Sequence, residues 1–176
     1  AGQAGRFDVF ARLQHRAFPG GALSYAGSMF DIKGRSDIEI TSIGFTTRLN
    51  TTLGILVYVR EGGYAGYEDD IAQWTLRANV TVEGKGKHDF TSLPRGSFFE
   101  PLTLRKSERL GVYLTSDGPY VRAARGDVEG RRYNSNNDVV IYEGVSKYYP
   151  ADRGTISPAL FNGAFEYVVL DIPSLR

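Results

Sequence analysis

The sequence predicts an all-β protein, a two-sheet antiparallel β-sandwich that is jelly-roll-like, with about nine or ten short strands. Three observations carry this. Apolar and polar residues alternate over short runs, most clearly where Trp74, Leu76, Ala78, Val80 and Val82 interleave with Thr75, Arg77, Asn79 and Thr81. Turn-forming residues separate the runs, and 21 glycines with 11 tyrosines and 10 phenylalanines suit short strands joined by tight turns. No apolar period near 3.6 persists over the ~10–12 residues a helix needs. At 176 residues, the chain buries roughly 70% of its unfolded surface and needs no metal or disulfide to hold a core.

Taken in order, Phe7, Val9 and Ala11 alternate with Asp8, Phe10 and Arg12 as a weak first strand. A basic stretch ending in Phe18-Pro19-Gly20-Gly21 then breaks the chain. Leu23 to Ile32 and Ile38 to Phe45 read as two strands around the polar turn Lys33-Gly34-Arg35-Ser36-Asp37. Ile38 and Ile40 share one parity, Ile43 and Phe45 the other. Side chains alternate strictly along a strand, so keeping all four inside requires one extra residue, and a β-bulge is expected near Thr41-Ser42. Leu53 to Val59 is apolar at nearly every position, the pattern of a strand covered on both faces.

The Trp74 to Val82 strand comes next, predicted with its apolar set facing in. Leu102 to Leu104 and Leu110 to Thr115 flank the charged turn Arg105-Lys106-Ser107-Glu108, and Tyr120 to Arg122 follows. Arg125 to Asn137 is polar throughout and reads as a connection. Val139 to Tyr142 is a short strand, Glu143 to Pro158 a loop, and Phe165 to Leu170 the last strand. Residues 1–22 form an N-terminal arm or edge strand, and residues 23–176 a single sandwich domain.

Lys plus Arg (21) nearly cancel Asp plus Glu (20), which argues against a dedicated nucleic-acid surface. The absence of cysteine removes disulfide, thiolate, iron–sulfur and cysteine–zinc chemistry. No apolar run approaches the ~20 residues of a membrane-spanning helix. The chain opens on Ala1-Gly2 rather than Met, as it would after loss of a leader or by truncation.

Catalytic signatures are weak. His15 and His88 lie in separate polar segments, and no Gly-x-Ser-x-Gly elbow accompanies them. No carboxylate pair stands out for glycoside hydrolysis. Glu68, Asp69 and Asp70 follow a glycine-rich loop and offer hard oxygen ligands suited to calcium, although such clusters are ordinarily solvated turns. Asn134, Asn136, Asn137 and Asp138 form a second oxygen-rich group. Loop aromatics are the stronger candidates for binding: Tyr64 and Tyr67 among glycines, Tyr148 and Tyr149 after Lys147, with Trp74 nearby. Such rings stack on sugars or anchor protein interfaces, and otherwise cap the core. Asn50-Thr51-Thr52 and Asn79-Val80-Thr81 are glycosylation sequons.

Met29-Phe30-Asp31-Ile32, Ile38-Glu39-Ile40-Thr41, the run Val57 to Gly66 and Trp74-Thr75-Leu76 are followed by Tyr133 to Asp138, Ile141 to Pro150 and Phe161-Asn162-Gly163. In that succession, from about Tyr25 to Tyr167, the chain resembles an uncharacterised β-sandwich domain of secreted and surface proteins in marine bacteria and diatoms. The resemblance implies an extracellular or cell-surface module with no assigned chemistry, and Phe7 to Gly20 lies outside it.

The expected function is therefore a non-enzymatic structural or assembly module of a surface or extracellular complex. Its partners would be other copies or other subunits, reached by β-addition of the N-terminal segment. The alternative is a carbohydrate-binding module that takes glycans on its loop tyrosines, with or without calcium. A hydrolase with acids hidden on separate strands is the third reading.

Overall fold

The structure, a computed structural model, describes residues 2–9, 23–149 and 153–171. It is an antiparallel sandwich of two sheets. The smaller contains, in spatial order, β1 (Gln3–Val9), β15 (Gly163–Val169) and β4 (Ile38–Phe45), with the short β7 (Thr91–Ser92) and β8 (Leu102–Leu104) along the far edge of β4. The larger runs β2 (Leu23–Tyr25), β10 (Val121–Arg125), β14 (Thr155–Phe161), β13 (Gly144–Lys147), β3 (Gly27–Gly34), β9 (Arg109–Ser116), β5 (Thr52–Glu61), β6 (Thr75–Glu83). Beyond the end of β13, β3 pairs with β12 (Val139–Tyr142), which carries β11 (Arg132–Ser135).

Inward side chains of both sheets form one core. Phe30 stacks on Phe161 at 4.4 Å and meets Phe165 edge-on at 6.1 Å. Ile32, Ile55, Val57, Val112, Leu114 and Ile141 extend this layer from the larger sheet, and Ile38, Ile40, Ile43, Phe45 and Leu104 complete it from the smaller. The expected bulge is present. Glu166 pairs with Ser42 but Tyr167 pairs with Ile40, so Thr41 is the extra residue and all four apolar side chains of β4 reach the core.

Lys33 to Asp37 does not close a hairpin. β3 and β4 belong to opposite sheets, and so do β8 and β9, so both charged turns are arches across the sandwich. The arches are tied together: the Gly34 N–H donates to the Glu108 carbonyl (3.0 Å), the Ser107 N–H to the Gly34 carbonyl (2.8 Å), and the Lys106 N–H to Asp37 Oδ1 (2.8 Å).

Other sequence expectations change with the register. In β6 the pairing moves from Val57–Ala78 to Tyr58–Leu76, which makes Arg77 a second bulge. Ala78 and Val82 remain in the main core, while Trp74 belongs to a separate cluster on the other face of the larger sheet. β5 is not covered equally on both sides: Leu53, Ile55, Val57 and Val59 are buried, but Leu56 and Tyr58 are only half-buried. Of the stretches read as connections, Arg132–Ser135 is β11, and β13 with the first half of β14 lies inside Glu143 to Pro158. Pro158 has no N–H to give the ladder, and it sits where the β13–β14 register slips, between Gly144–Ala159 and Ser146–Ile156.

The N-terminal strand packs on its own domain. Gln3 to Val9 pairs residue for residue with Val169 to Gly163, and Phe7 is buried against the core. Residues 10–22, including His15, lie outside the described residues.

Candidate functional site

The outer face of the larger sheet carries a second layer, made by the segment between β5 and β6. Its glycines allow it to fold flat: Gly62, Gly63 and Gly66 have φ of 83°, 113° and 89°, a region that side chains with a Cβ rarely occupy. Asp31, buried on β3, pins the segment. Its Oδ1 accepts the Tyr64 N–H at 2.9 Å, and its Oδ2 accepts from Arg109 at 3.0 Å. Burial outweighs these two donors and raises the Asp31 carboxyl above its ordinary range. Farther along, Arg60 donates to the Gly63 carbonyl (2.8 Å) and lies 3.3 Å over the Tyr67 ring, and Trp74 Nε1 donates to the Tyr67 carbonyl (2.9 Å). Beneath this layer Met29, Tyr64, Trp74, Tyr113 and Val145 form a small separate core, with Tyr58 packed against it.

Lys147 completes the attachment. Its side chain is 3% exposed, and the ammonium donates to Asp69 Oδ1 at 2.5 Å and the Glu68 carbonyl at 3.0 Å. The protein's own cation thus holds the position between Glu68 and Asp69, while Asp70 is exposed. Among the described residues there is no group of three or more His, Asp or Glu arranged to hold a metal ion. In the second oxygen-rich cluster, Asn136 Oδ1 accepts the Asp138 and Val139 N–H groups, and Asp138 Oδ2 accepts from the Tyr167 hydroxyl (2.7 Å). These oxygens shape a turn and join it to β15.

The aromatic candidates do not share one surface. Tyr64 and Trp74 are buried in the small core. The Tyr64 hydroxyl donates to Glu129 Oε1 at 2.7 Å, and burial followed by that carboxylate pushes its pKa far up. Tyr67 is half-buried with Arg60 on its ring. Tyr148 and Tyr149 are exposed after β13, Tyr148 meeting Tyr25 edge-on at 6.2 Å. Asn50 and Asn79 are both exposed, so both sequons are sterically accessible.

What the fold does assemble is a groove of about 490 Å³ beside the pinned segment. Leu56, Tyr58 and Tyr113 supply its apolar surface, Ile71 stands at its rim 51% exposed, and Asp69 and Lys147 flank it. The Tyr58 and Tyr113 rings lie nearly parallel, 5.8 Å apart and 23° between planes. Of the predicted residues, Glu68 and Asp69 line this groove; Tyr58, Tyr113 and Ile71 were not singled out by sequence reasoning. The signal was available: Leu56, Tyr58 and Tyr113 occupy outward positions of strands whose inward residues already fill the core. Apolar residues there imply a second covering layer or a ligand.

Fold and groove together define the class, a two-sheet antiparallel β-sandwich with a ligand-sized concavity on the outer face of its larger sheet. No family model matches the chain, and no curated protein matches its sequence.

Proposed function

We propose that the protein is a non-enzymatic carbohydrate-binding module whose site is the groove over Tyr58 and Tyr113. The half-buried Tyr58 ring, with the buried Tyr113 ring stacked against it, carries this reading: the apolar face of a pyranose stacks on an aromatic plane, and its hydroxyls then need polar partners at the periphery. Asp69, whose side chain is exposed, and Ser116 stand there. The volume falls within the roughly 300–1,000 Å³ of small-molecule sites. A surface or extracellular setting accords with the resemblance noted above.

The assembly reading draws less support than the sequence suggests, because Gln3–Val9 is spent on pairing with β15 of the same chain. It keeps one specific observation in its favour. Among the described residues the other edge of β1 has no partner strand, and an edge of this kind can accept a strand from a neighbour.

The deciding experiment is a glycan array with neutral oligosaccharides, read with and without chelator, followed by titration of the hits. Ile71→Asp is the variant of choice, since that side chain is at the surface. The expected result is selective binding that weakens at least about tenfold in I71D with an unchanged melting temperature. Silence on every glycan, or equal binding by I71D, would sink the reading.

A further inference from the structure

A second concavity, of about 730 Å³, opens where the loop after β6 meets β10 and the turn between β14 and β15. Its chemistry differs from that of the aromatic groove. Arg6, Lys85, Lys87 and Arg122 converge on it from three separate segments, beside His88. Among the described residues the acids that face it are Asp8 and Asp89. Asp8 is already paired with Arg6 at 2.6 Å, which leaves Lys85, Lys87 and Arg122 against Asp89. Balanced charge elsewhere hides this local excess, because the whole sequence sums to only +1.

The base of the cleft retains unused hydrogen-bonding capacity. Arg122 Nη1 donates to the Lys87 carbonyl at 3.2 Å, but Arg122 Nε and Thr46 Oγ1, both buried, have no hydrogen-bond partner among the described residues. Burial and the neighbouring Arg48 both lower the Arg122 pKa, as expected of a cation that a bound anion would relieve.

We propose that this cleft binds the sulfate or phosphate ester groups of an anionic polysaccharide. Convergent lysine and arginine side chains recognise oxyanions, with arginine adding a planar fork of donors. The cleft is far larger than one ion requires, a water in the liquid occupying only about 30 Å³, so it suits several units of a chain. Binding of single-stranded nucleic acid combines a basic groove with a series of aromatic stacking faces, and Phe90 and His88 are the two aromatic rings among the described residues bordering this cleft. The proposal extends the carbohydrate reading to charged sugars at a separate site, and distinct probes and variants let either fail alone.

The test uses fluorescence anisotropy with a fluorescein-labelled heparin decasaccharide, at about 20 mM and about 150 mM NaCl. Lys85 and Lys87 are exposed, so Lys85→Glu with Lys87→Glu reverses the charge without touching the core. The expected result is binding by the wild type, weaker at the higher salt, a loss of at least about tenfold in the double variant, and little change in I71D. Circular dichroism melting is expected to be the same for all three proteins. No binding by the wild type, or equal binding by the double variant, would overturn the proposal. So would an oligonucleotide of matched charge binding as tightly as the decasaccharide, or inorganic sulfate displacing it at equal concentration.

Discussion

Deleting Thr41 tests the packing logic of the whole smaller sheet. Ile38, Ile40, Ile43 and Phe45 are each no more than 1% exposed, and Thr41 is the residue that reconciles their two parities. Without it, β4 can keep Ile38 and Ile40 inside or Ile43 and Phe45 inside, but not both pairs. Turning out two such side chains forfeits about 1.5–3 kcal/mol each, or about 3–6 kcal/mol together, against a total stability of roughly 5–15 kcal/mol for a domain. Thr41→Ala is the control, because Thr41 is half-buried and the substitution preserves the residue count; it is expected to cost under about 1 kcal/mol. Urea unfolding followed by far-ultraviolet circular dichroism provides the measurement, with the slope checking that unfolding stays two-state. A deletion variant that unfolds cooperatively within about 1 kcal/mol of the wild type would refute the reasoning.

Two further outcomes follow from the described contacts. Gly63→Ala would hold an alanine at φ 113° and bring its Cβ to 2.7 Å from Asp31 Oδ2, so a loss of about 1–3 kcal/mol is expected, with a red shift of Trp74 emission as the outer layer loosens; unchanged stability and emission would contradict it. Tyr167 is held up to about 12 from 10.0 by burial first and its hydrogen bond to Asp138 second. Its folded value lies above its unfolded one, so the contribution is complete below pH 10 and disappears as pH rises through 12, amounting to at most roughly 3 kcal/mol. Urea midpoints between pH 9 and pH 12 are expected to fall more steeply for the wild type than for Tyr167→Phe, and equal slopes would count against that assignment.

The sandwich was legible because its inward residues obey a period of two and its turns carry glycine, proline and aspartate. The bulge at Thr41 could be located to within a residue or two, because only an inserted residue lets two apolar pairs of opposite parity face one core. Its counterpart at Arg77 escaped notice, since Trp74 and Leu76 continue the apolar alternation and nothing local marks the change of face. β13 was hidden for a different reason. Gly144, Val145, Ser146 and Lys147 are all buried, yet half of that strand is polar, and Lys147 is tolerated there because Asp69 and the Glu68 carbonyl come from a distant segment to meet it. Site residues suffered similarly: Tyr64 and Trp74 have the composition of a sugar platform, but Asp31 draws their segment down and turns them into core. The groove lies instead on Tyr58 and Tyr113, which come from β5 and β9 and meet only through the sheet order. The basic cleft is a product of tertiary convergence that no net charge can reveal.

Pairing of β1 with β15 gives the sandwich a late closing step. Gln3 has to find Val169 and Val9 has to find Gly163, so of the described strands the earliest in sequence pairs with the latest. Until then Phe7 has no core to enter and both edges of β1 are open to other chains. Contacts of such long sequence separation slow folding, and unpaired strands invite association with the wrong partner in the interval. The exposed Arg6 and Asp8 then act in time as well as in space: a charged pair on a waiting strand discourages strand-to-strand aggregation before the domain is complete.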